Sequence, residues 1–211
     1  MDAKSHWDGI YKTKGPAEVS WYESHLNRSL ELFFRTGVDK NARVVDVGGG
    51  GSTFADDLLG HGFEHITVLD ISSEAIEISK SRLDSRANRI TWIEADITQV
   101  QLPENSYDVW HDRVLFHFLI RKRDRSKYIT QLRRSLRPGG HAVIATFGLE
   151  GPLRCSGLDV IRYSPVSLSQ ELGGEFSLVE SFSEDHVTPF DTTQEFLYCR
   201  FIRHTGVQSL P

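Results

Sequence analysis

Two cysteines, one methionine and seven prolines in 211 residues leave several common architectures without their raw material. Cys155 and Cys199 form no C-x-x-C pair, so neither a zinc site nor the disulfide framework of a small secreted scaffold is expected, and no metal is assigned. No apolar run approaches the roughly 18 residues that would cross a bilayer. The first ten residues hold Asp2, Lys4, His6 and Asp8 with no apolar leader core, so the cytoplasm is the default location. Positive charge is also scarce: 24 Lys and Arg stand against 29 Asp and Glu, a net of −5 with a pI near 6.0. That balance gives no reason to expect a nucleic-acid partner. The densest basic cluster, Arg121-Lys122-Arg123 with Arg125, is broken by Asp124 and reads as a solvated loop.

What is present is a strand signal running into glycine. Residues 43–51 read Arg-Val-Val-Asp-Val-Gly-Gly-Gly-Gly, and Val44, Val45 and Val47 form a β-branched run suited to a buried parallel strand. Ser52 or Thr53 can then cap a helix whose apolar face includes Phe54, Leu58 and Leu59. Strand, glycine turn and helix together make a nucleotide-gripping element at the carboxyl edge of a parallel sheet. Glycine suits the turn because it tolerates unusual dihedrals and keeps side chains out of the ligand's way.

The spacing narrows the ligand. A dinucleotide fingerprint needs G-x-G-x-x-G, but Gly48-x-Gly50 leads to Thr53 and Gly49-x-Gly51 leads to Phe54. An acid two positions before the glycines, in Asp46-x-Gly48-x-Gly50, would repel a pyrophosphate and suits a ligand bearing an ammonium group. Here the chain resembles the class I S-adenosylmethionine-dependent methyltransferases, whose first motif is D/E-x-G-x-G. The likeness covers residues 40–147 well and the tail by strand order. The extra glycines carry an entropic cost and predict a loop that is soft when empty.

Further along, Ile66–Leu69 ends in Asp70, Ser72-Ser73-Glu74 starts a helix carrying Ala75, Ile76, Ser79 and Leu83, and Ile90–Ala95 runs to Asp96. Tyr107–Trp110 reads as a fourth strand. A helix through Tyr128, Ile129, Leu132 and Leu136 is expected to stop at Pro138-Gly139-Gly140, before a fifth strand at His141–Phe147. Phe176–Phe182 and Phe196–Ile202 are separated by a short connection and predict an antiparallel pair. The expected fold is therefore an α/β, Rossmann-like three-layer sandwich with a seven-stranded, mostly parallel sheet and an antiparallel C-terminal hairpin. One domain is expected over 1–211: an N-terminal aromatic arm and helix (1–40), a cofactor-binding core (41–147), and an acceptor-side loop with the hairpin (148–211).

Asp70 ends the second strand, where a carboxylate can accept from both ribose hydroxyls; the plainer reading is a helix cap, a job Ser72 or Ser73 can do. The resemblance implies S-adenosyl-L-methionine as cofactor and S-adenosyl-L-homocysteine as product. It places Asp46, Gly48, Gly49, Gly50, Asp70 and Ile71 around the methionine and ribose, with Asp96 and Ile97 on the adenine. Ahead of the core lie Trp7, Tyr11, Trp21 and Tyr22, read either as anchors of a loose arm or as a lid over the ligand formed by the first 23 residues.

For the acceptor, the resemblance points to the segment after strand four. His111, also placed on the cofactor, and His117 are the candidate general bases, against the plainer reading of structural histidines. Tyr22, Asp112, Arg113, Phe147, Arg154, Arg162 and His186 are candidate acceptor contacts, with Cys155 near them; Arg113 alternatively pairs with Asp112 or Asp108. No Asn-Pro-Pro-Tyr or Asp-Pro-Pro-Tyr follows strand four, which counts against DNA bases. The expectation is an S-adenosylmethionine-dependent methyltransferase acting on a small-molecule acceptor by in-line transfer that relies on positioning. Protein lysine methylation and a non-catalytic, S-adenosylmethionine-binding regulatory role are the alternatives.

Overall fold

The computed structural model of the protein describes residues 2–15 and 18–205. Seven strands form one sheet: β1 (Arg43–Val47), β2 (His65–Asp70), β3 (Ile90–Glu94), β4 (Tyr107–Arg113), β5 (Leu136–Phe147), β8 (Phe176–Val187) and β9 (Thr193–Arg203). A short hairpin of β6 (Arg154–Cys155) and β7 (Leu158–Asp159) stands apart. The helices are α1 (Ala3–Thr13), α2 (Asn27–Phe34), α3 (Phe54–Gly60), α4 (Ser73–Leu83), α5 (Lys122–Ser135) and α6 (Pro165–Leu172). Among the described residues, no helix is long and apolar enough to cross a membrane.

The sheet order is β3-β2-β1-β4-β5-β9-β8, parallel from β3 to β5, with β9 antiparallel to both neighbours. The chain crosses over between β1 and β4, where Val47 lies beside Asp112, and that reversal opens a crevice at the carboxyl ends of these strands. Alternation along β1 explains the two packed faces. Val45 and Val47 join Trp110, Tyr128, Leu132 and Ile144 beneath α5 and α6, whereas Val44 joins Phe33, Phe54, Leu58 and Phe63 beneath α2 and α3. Helices on both faces give the three expected layers.

The differences from expectation have local causes. α5 ends at Ser135 because Leu136 is already extended, two residues ahead of Pro138. Pro138-Gly139-Gly140 therefore lies inside β5, at a register shift opposite Tyr107 and Val109. Gly140 is pressed there by the Arg137 and Asp108 carbonyl oxygens, leaving no room for a Cβ. The hairpin strands run several residues longer than their apolar cores. The segment after β5, read as an irregular loop, holds β6, β7 and the start of α6, whose Ser164 cap and Pro165 form a helix-start signal. The aromatic arm contains α1, capped by the Asp2 side chain on the Ser5 N–H.

Candidate functional site

A cavity of about 180 Å³ lies at the crossover, between the carboxyl ends of β1, β2, β3 and β4 and the underside of α1. Its walls include Gly48, Asp70, Ile71, Asp96 and Ile97, together with Trp7, Tyr11 and Trp21 from the arm. Most of the expected cofactor residues therefore meet around one space.

The glycine run is shaped by what surrounds it. Gly48 has φ of +77°, a conformation a side chain disfavours, and a Cβ there would sit 2.9 Å from Leu115. A Cβ on Gly49 would overlap the Asp46 carboxylate; one on Gly50 would lie 2.7 Å from Ala75 and 2.8 Å from Asp70. On Gly51 it would meet the Tyr11 ring at 2.8 Å. Every turn residue is approached by a different element, and at Gly48, Gly49 and Gly50 the crowding itself favours glycine.

Asp70 presents its carboxylate at the cavity wall, with Oδ2 accepting from the Gly50 N–H at 2.9 Å and Oδ1 from the Ser72 N–H at 2.8 Å. Each oxygen keeps acceptor capacity for a ribose hydroxyl. Burial pushes this carboxyl up to about 6, against the pull of the backbone donors. Ser72 caps α4 itself, accepting from the Ala75 N–H, so the helix does not require Asp70 for that purpose. At the other end Asp96 lines the wall and accepts from the Thr98 N–H at 2.8 Å, with Ile97 beside it. A two-oxygen acceptor in the middle, an acid at the far end and a side-chain-free turn fit an adenosyl ligand with a methionine tail.

Helix α1 roofs this space with one row. Ala3, Trp7 and Tyr11 are spaced i, i+4, i+8 and all line the cavity, Ala3 also bordering an adjoining recess with Asp96 and Tyr11 lying on Gly51. The neighbouring row, Lys4, Asp8 and Lys12, ties the helix to the sheet edge and α4: Lys4 to Glu94 at 2.9 Å, Asp8 to the Ser72 hydroxyl at 2.7 Å, Lys12 to Glu74 at 3.3 Å. Burial, with the charge of Asp70 adding to it, raises the Tyr11 phenol well above its ordinary range.

The second half of the arm is held differently. His186 Nε2 donates to the Ser20 carbonyl at 2.8 Å, and Arg113 Nη1 donates to the Trp21 carbonyl at 2.7 Å. Both side chains also meet Glu23 Oε1, His186 at 3.3 Å and Arg113 in a closer pair. Burial opposes the charge on Glu23, but His186 and Arg113 together hold its carboxyl below the usual range. Arg113 further donates to the Tyr198 hydroxyl at 3.1 Å and lies 4.8 Å over the Phe196 ring.

Several expected site residues take other places. Asp46 is 1% exposed and does not line the cavity; its Oδ1 faces His111 Nδ1 at 2.7 Å beneath the loop. His111, whose other nitrogen meets the Ser29 hydroxyl at 2.8 Å, stacks on Phe54 and is equally enclosed. His117 is fully buried, its Nδ1 accepts from the Phe147 N–H, and burial followed by the charge of Arg113 pushes it down to about 3. Neither histidine reaches the cavity as a base. Asp112 accepts from the Tyr128 hydroxyl and the Leu115 N–H, holding the turn after β4.

Arg113 reaches the cavity wall, but its charge is consumed by the arm, and His186 is buried in the same clamp. Phe147 packs in the core against Phe196, Arg154 is exposed and paired with Asp159, and Arg162 donates to the Gly151 carbonyl. Cys155 is buried beside Ser20. Tyr22 lines a smaller recess with Tyr11, Glu23, Gly51 and Ser52. The sequence reading passed over Ala3, Glu23, Val114 and Leu158. Val114 holds φ of +68°, a strained state for a β-branched residue, at the cavity wall.

A family model described as a methyltransferase domain matches residues 44–140. The EEF1A lysine methyltransferase 2 of Danio rerio is 26% identical over 160 residues, 69% of this chain and 69% of that protein. The eEF1A lysine and N-terminal methyltransferase of Bos taurus is 28% identical over 51% of this chain, which spans 15% of that longer protein. Among solved structures, the Burkholderia thailandensis 1,6-didemethyltoxoflavin-N1-methyltransferase, with bound 1,6-didemethyltoxoflavin and S-adenosylhomocysteine, has 18% identity and a TM-score of 0.71. That superposition covers 95% of this chain and 84% of the other.

Proposed function

We propose, from the premise that the chain belongs to the class I S-adenosylmethionine-dependent methyltransferases, that it methylates a small-molecule acceptor inside the α1-roofed cavity. The observation carrying this reading is the roof itself: Trp7, Tyr11 and Trp21 line the same cavity as Asp70, so the arm contributes aromatic wall to that space. The bound sulfonium supplies an already activated methyl group. The protein's part is to hold the adenosine on Asp70, Asp96 and Ile97, to seat the methionine tail against Gly48–Gly51, and to keep water from the acceptor with its aromatic roof. Asp46 and His111 act beneath the loop, as its support. No histidine base is required.

A protein lysine acceptor is the second reading, favoured by the zebrafish relative that matches over 69% of both chains. Incubating the protein with radiolabelled S-adenosylmethionine and a cell extract separates the readings. Label in the small-molecule fraction is expected; label in a protein band moves the acceptor to lysine, and no label with intact S-adenosylhomocysteine binding favours a regulatory role.

A further inference from the structure

Three aromatic rings meet at the cavity wall at steep angles. Trp7 and Trp21 have centroids 5.9 Å apart with planes at 80°, and Trp7 and Phe118 are 4.9 Å apart at 75°. All three are half-buried and line the cavity, beside Val114 and Leu158. Two ring planes standing nearly perpendicular to a third make a corner; the His6 ring packs edge-on against Trp7 at 5.2 Å but is not among the residues lining the cavity.

Among the described residues lining the same cavity, every titratable group is otherwise engaged. Both Asp70 oxygens accept from backbone N–H groups and, on the reading above, give their remaining lone pairs to the ribose, while Asp96, which accepts from the Thr98 N–H, serves the adenine. Burial keeps the Tyr11 hydroxyl protonated. Arg113 spends its donors on Trp21, Glu23 and Tyr198, and its charge is balanced by Glu23. A nucleophile arriving here finds no partner to take its proton, so it attacks in its neutral form and its product is born as a cation. The faces of tryptophan and phenylalanine attract cations.

We propose that the Trp7–Trp21–Phe118 corner is an ammonium subsite, and that the acceptor is an amine reacting as its free base; this rests on the methyltransferase reading above. The nitrogen lone pair forms the new N–C bond as the S–C bond breaks, sulfur keeps that electron pair, and the positive charge passes from sulfur to nitrogen. An N–H proton leaves to water after release. Positive charge is thus present throughout, and the rings favour it at every stage. A phenolate or carboxylate acceptor would cancel the charge and gain nothing from them.

The test is calorimetry on protein saturated with S-adenosylhomocysteine, comparing choline with 3,3-dimethylbutan-1-ol, its neutral isostere. Choline should bind about tenfold more tightly. Trp7→Phe should keep that preference and Trp7→Leu should bring the two probes within about twofold. Equal binding of the two probes to the wild type, tighter binding of the alcohol, or binding of neither, overturns the subsite. S-adenosylhomocysteine affinity is measured first in each protein, so failure of the cofactor reading itself shows separately, as absent binding before either probe is added.

Discussion

The Arg113 guanidinium donates to the Trp21 carbonyl at 2.7 Å, so the last residue of β4 fixes the backbone that carries one of the cavity's rings. With His186 gripping the preceding carbonyl and both side chains meeting Glu23, the Trp21 peptide is held from two sides. Arg113→Ala leaves Glu23 with only His186 in a largely enclosed site, and breaking such a pair costs about 3 kcal/mol or more. Chemical denaturation should show that loss. The double variant Arg113→Ala/Glu23→Gln should recover part of it, because no unbalanced carboxylate remains; equal or greater loss in the double variant contradicts the pairing.

Asp70→Asn should weaken S-adenosylhomocysteine binding about 10- to 100-fold through the lost charge-assisted ribose bonds. The Asp70 carboxyl is lifted to about 6 by burial, and only its ionised form accepts from both hydroxyls, so wild-type affinity should fall below about pH 6. The sign for folding runs the other way. A carboxyl raised from 3.8 contributes stability that is complete below about pH 4 and lost as pH rises through about 6. Unligated Asp70→Asn should therefore gain on the wild type across that interval, and a flat difference in paired pH-dependent melts would refute the assignment.

Alanine scanning of the glycine run should separate fold from binding. Gly49→Ala drives a methyl group into the Asp46 carboxylate and disrupts its pairing with His111, so large destabilisation is expected, on the order of 3 kcal/mol. Gly51→Ala meets only the Tyr11 ring, the far end of a side chain on α1 that can swing aside. Its melting temperature should stay near wild type while S-adenosylhomocysteine affinity drops. Similar melting temperatures for the two variants would contradict this account.

The two halves of the arm should respond differently to salt. α1 rests on the Lys4–Glu94 and Lys12–Glu74 pairs, which are well exposed and worth less than about 1 kcal/mol each. Residues 18–26 hang on the enclosed clamp. Limited proteolysis at about 0.05 M and 0.5 M salt should show faster cleavage within residues 3–15 at the higher salt, slowed by S-adenosylhomocysteine, with the Trp21 segment resistant throughout. Salt-independent cleavage of α1, or equal cleavage of both halves, would restore the arm to a single unit.

What could be read from the sequence was local. Val44–Val47 running into Gly48, Asp70 and Asp96 at the following strand ends, and the apolar cores of the C-terminal hairpin all carry their signal within a few residues. The fold and the cavity wall formed by Asp70, Asp96 and Ile97 followed from them. The misread residues are those whose partners lie far along the chain. His111 meets Asp46 and Ser29, 65 and 82 positions away, and Arg113 meets Glu23 at a separation of 90. Type and neighbours alone could not tell a buried support from a base, or a clamp from an acceptor contact. The sequence reading of the arm rests on its aromatic residues and assigns no helix there, although the i, i+4, i+8 spacing of Ala3, Trp7 and Tyr11 marks one.

The placement of the aromatic roof also gives the protein a built-in optical reporter. Two of its four tryptophans, Trp7 and Trp21, border the cavity and are half-buried. Trp110 is wholly enclosed with its indole N–H on Tyr128, and Trp92 donates to the Ala87 carbonyl at the sheet edge. A molecule entering the cavity alters the surroundings of the first pair and leaves the second pair as an internal reference. Intrinsic emission, with no label and no known acceptor, is therefore enough to screen compound collections for what this cavity holds.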